Sequence, residues 1–523
     1  MRTRNMMTPI LAAALGLTLA FAAPAAYGWS QTALAAEEEQ QPITVSMSAG
    51  SGIYAETFTL TLTSEGAKTI YYTLDGSDPK TSSTRAEYTD GITIKDRSKE
   101  ANYVSAVDPL LFDNANVKWK KRTKSYTTTR KAPADTDVDK GTVVKAVAVD
   151  ANGNFGTVET NTYFVGTVAK HIKNAQKSAQ AAGIPLSVMS ISMNYEDLFD
   201  YEKGIYVKGK IFDEAVAKYL EENPKATTDT MNDQARRLPA NYNQKGKDWE
   251  RNAHIDYFET DGTTLDCQLQ QDCGIRIQGN YSRSDLMKGL RLYARADYGK
   301  KNFKYPFFEN AKDDNGKTIK KHKKLVLRNG GNYAFAGTKY NDAYWQSMLS
   351  DLDCETQGSR ACVVYIDGEY WGLYILQQDF DDSYFEETHG VDKDSVVVYK
   401  ASDADADKEY GYKLDEGTLP DGETDVNYFY RDLMNFFAEH KNLKNDADYE
   451  AFCKLVDPQS VMDYFAVQVW INNKWDWPGK NWSMWRTTTV DPNNAYADGR
   501  FGREFMDRYS AGSLYSGCGR SVS

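Results

Sequence analysis

A change of hydrophobic pattern after the first third of the chain constrains the fold more than any other feature. Between residues 43 and 166, short runs that alternate apolar and polar residues are separated by turn clusters. Phe58–Thr63 alternates in this way, and Ile70–Leu74 runs directly into Asp75-Gly-Ser-Asp-Pro79. Such alternation with closely spaced turns predicts a small all-β sandwich. Beyond Leu186 strand-like and helix-like segments are mixed, which predicts a second region and an α+β chain.

Two local signals place secondary structure in the second region. Asp367-Gly368 stands between two apolar runs, which predicts a β-hairpin with a type I′ turn. Asp457-Pro458 supplies a helix N-cap and a first-turn proline. The predicted helix carries Val461, Phe465 and Val469 beside Met462, Ala466 and Trp470, the apolar pattern of an amphipathic helix.

The first 35 residues are typical of an export signal. Arg2 and Arg4 precede an apolar run from Ile10 to Ala23, and small residues suited to signal cleavage follow. The run is shorter than the roughly 20 residues that span a bilayer, which favours cleavage over the alternative of a retained anchor. We therefore expect a secreted or cell-surface protein without a transmembrane span, in which residues 36–42 form an acidic linker.

The composition excludes some function classes. The 523 residues carry a formal net charge of −12, which disfavours a nucleic-acid partner because phosphate binding needs a basic surface. Only 5 residues are histidines, which leaves little material for a histidine-based metal centre. The 6 cysteines of an exported chain can form disulfides. Cys267 with Cys273 and Cys354 with Cys362 flank short segments, although the sequence alone does not choose a pairing.

A tryptophan-rich loop near the C-terminus carries the candidate chemistry. Asp476 and Asn481 stand there in the order D-x-x-x-x-N, directly after the predicted helix. A protein-kinase catalytic loop uses this spacing to aim a carboxylate at a substrate hydroxyl and an amide at a magnesium ion. The alternative is a turn in which tryptophans fill a core and the two polar residues cap the backbone.

Several ordered motifs resemble the spore coat protein H (CotH) kinase-like family and together cover about residues 187–510. The motifs are Leu198–Val207, Trp249–Arg251, Gly274–Arg283, Leu327–Gly331, Asp367–Tyr374 and the Asp476 loop. The resemblance implies an atypical protein-kinase-like domain at residues 186–523. It also implies transfer of phosphate from ATP to Ser or Thr of surface or coat proteins, with Mg²⁺ or Mn²⁺ as the metal.

The N-terminal region carries a second resemblance. Tyr71–Pro79, Lys145–Asp150 and Thr162–Val165 resemble the chitobiase/β-hexosaminidase C-terminal type of immunoglobulin-like domain. This implies an immunoglobulin-like sandwich at residues 43–166, followed by a helical linker at residues 167–185. In that family the module accompanies a catalytic or surface domain, so cell-wall polysaccharide is a further expected partner. The polar, basic stretch from about residue 95 to residue 136 is interpreted as an excursion from the sandwich.

The CotH resemblance assigns roles to single residues. Asp476 matches the catalytic aspartate, and Asn481 matches the amide that helps to hold the metal. Lys288 is the expected partner of the nucleotide phosphates, with a solvated strand lysine as the alternative. Arg328 is a second nucleotide-binding candidate, paired either with an acidic residue near the site or with a surface carboxylate. Asp507 is the best candidate for the second metal ligand.

Two departures from the family pattern favour a rival interpretation. Gln378 stands where the family has an acidic residue, so that Asp379 would have to substitute for it. Asp507, with Glu504 behind it, replaces a Trp-Asp-x-Asp run. Because residues 513–523 are polar where the family has closing helices, we expect the domain to be incomplete at this end. The alternative function is a non-catalytic coat, surface or carbohydrate-associated scaffold with a degenerate kinase fold.

Overall fold

A computed structural model of the chain describes residues 42–120, 123–260, 265–331, 339–401, 412–471 and 482–506. The elements below all belong to one unit that begins at Ile43. The predicted export signal lies outside the described residues. Across the described ranges, no helix combines the length and apolar character needed to cross a membrane.

The N-terminal region is rich in β-structure, as the alternation predicts. Its central strand, Thr142–Val149, pairs antiparallel with Thr69–Thr73 and with Phe155–Val165. The face of this strand that carries Val144, Ala146 and Ala148 forms an apolar core with Leu60 and Ile94. The strands are β1 (Ser46–Met47), β2 (Gly52–Tyr54), β3 (Phe58–Leu60), β4 (Leu62–Thr63), β5 (Thr69–Thr73), β6 (Ala86–Glu87), β7 (Ile92–Ile94), β8 (Val117–Lys120), β9 (Ser125–Thr128), β10 (Thr142–Val149) and β11 (Phe155–Val165).

The remainder of the chain mixes helices and strands, which confirms a mixed α/β protein. The helices are α1 (Thr167–Ala181), α2 (Tyr195–Phe199), α3 (Gly209–Glu222), α4 (Thr228–Ala235), α5 (Asn341–Ser347), α6 (Asp382–His389), α7 (Arg431–Glu439), α8 (Asp446–Leu455) and α9 (Pro458–Trp470). The strands are β12 (Leu186–Ser192), β13 (Arg251–Thr260), β14 (Leu265–Gln278), β15 (Gly289–Tyr293), β16 (Phe303–Lys304), β17 (Lys321–His322), β18 (Lys324–Arg328), β19 (Ser359–Ile366), β20 (Glu369–Gln378), β21 (Val396–Ala401), β22 (Tyr412–Glu416), β23 (Trp482–Thr487) and β24 (Arg503–Met506).

Seven of these strands pair in a closed ring, which we call the β-ring. Its order is β12-β13-β14-β15-β18-β20-β19, and β19 returns to β12 through a parallel pairing while the other neighbours are antiparallel. Alternate residues along each strand, such as Ile255, Ile275, Leu292, Leu325 and Leu376, point inward and build the core. The residues between them therefore form the outer faces of the ring.

The N-terminal sheet covers one outer face of the β-ring. Thr162 Oγ1 on β11 donates to Ser190 Oγ on β12 at 2.9 Å, and the rings of Phe164 and Phe258 meet with centroids 5.6 Å apart. A single bridge between β2 and β14 makes the two sheets continuous. The two regions thus share an extensive interface, and the boundaries proposed at residues 166 and 185 stay predictions.

The stretch from residue 95 to residue 136 packs against the β-ring. Val104, Phe112 and Trp119 belong to the core of the ring and not to that of the N-terminal sheet. The buried carboxylate of Glu369 on β20 accepts from the backbone N–H groups of Tyr103 at 2.6 Å and Ser105 at 2.7 Å. The stretch leaves the N-terminal core, as predicted, but it is a packed part of the ring domain.

The hairpin and the helix predicted in the second region both form. The turn between β19 and β20 has φ of 48° at Asp367 and 85° at Gly368, the left-handed values that a type I′ turn requires. Asp457 caps α9 by accepting from the backbone N–H of Gln459 at 3.0 Å, and Pro458 is the first helical residue. These signals are local, because they depend on residues adjacent in sequence.

The apolar stripe of α9 is largely exposed. Phe465 and Val469 are 41% and 67% exposed, whereas Tyr464 and Val467 are buried. Tyr464 and Val467 pack with Leu349, which lies just after α5. Contact with α5 selects the buried face of α9, and the apolar stripe read from the sequence lies largely on the other side.

The short-loop disulfides do not form. No disulfide joins Cys267 to Cys273 or Cys354 to Cys362. Cys267 and Cys273 lie on one continuous strand, β14, and at roughly 3.3 Å per residue they are about 20 Å apart. Cys362 points into the core of the β-ring, whereas Cys354 packs near α9. Cys273 and Cys362 are buried in the core of the β-ring.

Candidate functional site

The C-terminal sheet brings together the strand ends next to the predicted metal ligands. Its order is β22-β21-β23-β24, and Trp482 of β23 lies opposite Met506 of β24. In the sequence, Asn481 directly precedes Trp482 and Asp507 directly follows Met506. The two predicted ligands therefore adjoin neighbouring strand ends, while Asp476, Asn481 and Asp507 themselves lie outside the described residues.

The outer face of the β-ring on β15 and β18 carries three cations, which we call the cationic face. They are Arg291, Lys324 and Arg328. Arg291 lies opposite Val326, which is flanked on β18 by residues of the same outward parity, Lys324 and Arg328. The leucines that alternate with them point into the core. Three positive charges on one face of a sheet are suited to binding phosphate.

Arg328 is held by a buried carboxylate on the helix that follows its strand. Its Nη1 donates to Asp342 Oδ2 at 2.7 Å, and Asp342, in the first turn of α5, is 8% exposed. The same oxygen accepts from Gln346 Nε2 and from Gln377 Nε2, each at 3.3 Å. Of the two partners that the sequence leaves open for Arg328, the structure shows a buried acidic residue and not a surface carboxylate.

The other two cations join the β-ring to the segments that follow it. Arg291 Nη2 donates to Asp379 Oδ1 at 3.0 Å. Lys324 Nζ donates to Glu416 Oε1 on β22 at 2.8 Å and lies 3.4 Å from Asp381 Oδ2. Burial lowers the pKa of Lys324, but Asp381 and Glu416 outweigh burial and hold it above its usual value. The cationic face therefore contacts both the exit of the ring and the C-terminal sheet.

Lys288 lies inside the protein, away from the cationic face. It is completely buried, and its Nζ donates to the carbonyl oxygens of Phe112 at 2.9 Å, Arg283 at 2.7 Å and Asp285 at 2.9 Å. These three bonds use all the donors of an ammonium group. Burial lowers the pKa of Lys288 to about 7. The alternative of a solvated lysine is wrong, and the nucleotide-binding role of Lys288 stays a prediction.

The side chain of Gln378 is buried and bonds to the backbone of Gly358. It is 3% exposed, and its Oε1 accepts from the backbone N–H of Gly358 at 2.8 Å. A neutral amide satisfies this donor without placing a charge in the core. Asp379, the predicted substitute carboxylate, is occupied by Arg291.

The predicted metal centre has no counterpart elsewhere in the described ranges, where no group of three or more His, Cys, Asp and Glu side chains is arranged to hold a metal ion. The amide oxygen of Asn481 and the carboxylate of Asp507 are ligand types that Mg²⁺ accepts. The predicted donor set therefore fits a hard cation chemically.

Arg291, Lys324 and Asp342 were not predicted as site residues from the sequence, although a signal for the two cations was present. Arg291 stands between two leucines, and Lys324 and Arg328 flank the apolar run Leu325–Leu327. With the leucines inward, period-two alternation places the cations outward. Asp342 had no comparable signal, because its contact with Arg328 depends on how α5 packs.

Comparison with known proteins agrees with the motifs. Residues 275–501 match the family model described as CotH kinase protein, and residues 59–163 match the model described as Fn3 associated. A search among curated proteins found no match. The assignment of the N-terminal region to the chitobiase type stays a prediction. The first match includes the cationic face, α9 and β23, so this part of the chain is similar to a CotH kinase protein domain.

Proposed function

We propose that this chain is an exported CotH-type kinase-like protein that transfers phosphate from ATP to Ser or Thr of surface or coat proteins. The observation that carries the proposal is the Arg328–Asp342 pair inside the matched residues. Protein kinases pair a strand lysine with a helix glutamate to place a cation on the nucleotide phosphates. Arg328 and Asp342 supply the same charges on the same kinds of element, and a guanidinium binds phosphate oxygens in pairs.

Each candidate residue has a distinct proposed role. Asp476 orients or deprotonates the attacking hydroxyl, while Asn481 and Asp507 hold Mg²⁺ or Mn²⁺. The register of Trp482 with Met506 supports this division, because it brings together the strand ends that lead to the two ligands. When bound, the metal neutralises charge on the phosphates of ATP. Arg328 binds those phosphates from the β-ring.

The finer fold assignment belongs to the same proposal. The β-ring with α5 corresponds to the nucleotide side of a kinase-like domain, and the C-terminal sheet with α7, α8 and α9 corresponds to its catalytic side. The region from residue 43 to residue 166 is proposed to be an immunoglobulin-like sandwich. Its cover over one outer face of the ring leaves the opposite, cationic face for the nucleotide.

A second candidate function is a non-catalytic surface or coat scaffold, with a coat protein or cell-wall polysaccharide as its partner. One observation favours it. Arg291, Lys324 and Arg328 each already contact a carboxylate, which reduces the positive charge available to a nucleotide.

Two measurements on the chain from residue 36 to residue 523 separate these functions. The first is calorimetric binding of ATP with Mg²⁺ and with Mn²⁺, and the second is transfer of labelled phosphate to the protein itself or to a generic acceptor. We expect the wild type to incorporate labelled phosphate. We expect Asp476→Ala to bind ATP but to incorporate no phosphate. If the wild type incorporates no more phosphate than Asp476→Ala with either metal, the kinase function is excluded and the non-catalytic scaffold remains as the function.

A further inference from the structure

A buried histidine lies where the β-ring meets the C-terminal sheet. His389 is the last residue of α6, and its side chain is 6% exposed. Its Nε2 lies 3.0 Å from Glu355 Oε1, and its Nδ1 lies 3.0 Å from Asp314 Oδ1. An imidazole with a carboxylate acceptor at each nitrogen donates from both, so His389 is an imidazolium.

Glu355 collects donors from two further side chains. Trp485 Nε1 on β23 donates to Glu355 Oε1 at 3.0 Å, and the Tyr384 hydroxyl on α6 donates to Oε2 at 3.0 Å. Glu355 itself is 7% exposed. A buried carboxylate bonded to several donors is held strongly, because removal of one partner leaves a charge that water does not solvate. The carboxylate therefore ties α6 and β23 to one point.

Two aromatic rings stack with the imidazolium. The ring of Tyr496 stacks on that of His389 with centroids 3.8 Å apart and planes 21° apart. The centroid of the Trp485 ring lies 5.7 Å from that of His389, and the two planes are 17° from parallel. Trp485 lies on β23, and Tyr496 lies on the loop between β23 and β24. The positive charge is thus held by two carboxylates and by two π faces.

The position of this cluster relates it to the candidate site. Glu355 lies on the segment between α5, which holds Asp342, and β19 of the ring. Trp485 lies on β23, whose first residue follows Asn481 in the sequence. Glu355 therefore connects the segment that follows α5 to the strand that leads away from the predicted catalytic loop.

We propose that Glu355 and His389 are positioning residues of the candidate kinase site, whose ion pair holds the cationic face of the β-ring in register with β23. This proposal rests on the proposed function. We call the pair the Glu355–His389 latch. Loss of the imidazolium charge leaves Glu355 buried without its cation, so the contact between α6, β23 and the ring loosens.

The titration of His389 supports this geometry. Burial lowers its pKa, but Glu355 and Asp314 outweigh burial and raise it to about 9. An unfolded histidine titrates near 6.5, so the stabilisation by the latch is fully present below about pH 6.5 and is lost as the pH rises through about 9. The other titratable groups that face the cluster or its cavity of about 160 Å³ are Lys312, Asp353, Cys354, Tyr384 and Tyr496.

Three variants of the full chain test the proposal. His389→Gln removes the cation and keeps one amide donor. Asp314→Asn is the milder change, because the Asp314 side chain is 38% exposed while its charge acts on His389 directly. Glu250→Gln is the matched control: Glu250 is a buried carboxylate that accepts from Arg295 Nε at 2.8 Å, outside the latch.

The first readout is amide hydrogen exchange of β23 and α6, compared among variants at the same pH. We expect faster exchange in both elements for His389→Gln at pH 7, and for the wild type only above about pH 9. For Asp314→Asn we expect the transition to move down by about one pH unit, because one opposite charge is lost. Glu250→Gln should follow the wild type.

The second readout is calorimetric affinity for ATP with Mg²⁺ over the same pH range. We expect His389→Gln to weaken binding about tenfold at pH 7 and to abolish the alkaline transition. Exchange needs no nucleotide, so a wild type that binds no ATP defeats the proposed function while exchange still judges the latch. The latch would be overturned if β23 exchanged at the wild-type rate in His389→Gln. It would also be overturned if the pH of the exchange transition were unchanged in Asp314→Asn.

Discussion

Arg328 on β18 and Asp342 on α5 form an ion pair of 2.7 Å that joins a ring strand to the helix following it. Asp342 is buried and also accepts from two glutamine amides, so its position is set from three directions. This ion pair gives Arg328, and with it the cationic face, a fixed position.

Asp342→Asn should weaken binding of ATP with Mg²⁺. The substitution keeps the size of the side chain but removes the charge that holds Arg328, and a hydrogen bond to a charged group contributes about 1.5–3 kcal/mol. A calorimetric titration at low salt measures the loss. Asp297→Asn, which breaks the exposed pair with Lys247, is the control and should bind like the wild type. Equal affinity in Asp342→Asn would exclude Arg328 from the nucleotide site.

The predicted catalytic and metal residues should separate by readout. Asp476→Ala should abolish phosphate transfer while leaving the thermal transition unchanged, because a loop carboxylate contributes to chemistry more than to packing. Asn481→Ala and Asp507→Ala should weaken ATP binding only when Mg²⁺ or Mn²⁺ is present. Labelled-phosphate incorporation and metal-dependent titrations measure these effects. Binding that does not change with metal in either variant would remove the two residues from the metal site.

Glu369→Ala should destabilise the protein, because it leaves the backbone N–H groups of Tyr103 and Ser105 without their acceptor. Each buried unsatisfied donor costs roughly 1–3 kcal/mol. Urea unfolding followed by tryptophan fluorescence measures the loss. Glu423→Ala is the control, since Glu423 also accepts from two backbone N–H groups, of Thr424 and Asp425, but lies at the surface. An equal loss of stability in both variants would show that Glu369 does not stabilise the packing of the stretch from residue 95 to residue 136.

The stability of the protein should fall as the pH rises from about 6.5 to about 9. His254 lies 2.7 Å from Asp272 and 3.3 Å from Asp256, and although burial lowers its pKa, these carboxylates raise it to about 9. A folded pKa above the unfolded value of about 6.5 stabilises the protein below that pH, and the contribution is lost on titration.

His254→Gln should reduce this alkaline loss, as measured by urea unfolding at a series of pH values, leaving the part that belongs to His389. His322→Gln is the control, because burial lowers the pKa of His322 to about 4 and its titration acts on the acid side. An alkaline profile of His254→Gln identical to that of the wild type would show that His254 does not carry the effect.

The local signals of the sequence determined much of the secondary structure. Alternation over Phe58–Thr63, the Asp367-Gly368 turn and the Asp457-Pro458 helix start each depend on neighbours along the chain, and each is present. The order of the motifs likewise predicted the CotH match over residues 275–501. Such features need no knowledge of the tertiary structure, because backbone geometry and short-range hydrogen bonds produce them.

Only the tertiary structure decided which faces meet. The β-ring closes through a parallel pairing of β12 with β19, two strands far apart in sequence. That closure turns Lys288 inward and Arg291 outward, and it brings Asp342 to Arg328. The buried face of α9 follows from its contact with α5 and not from its own apolar stripe. Long-range packing selects among faces that the local pattern leaves equivalent, because burial depends on the partner surface as well as on the residue.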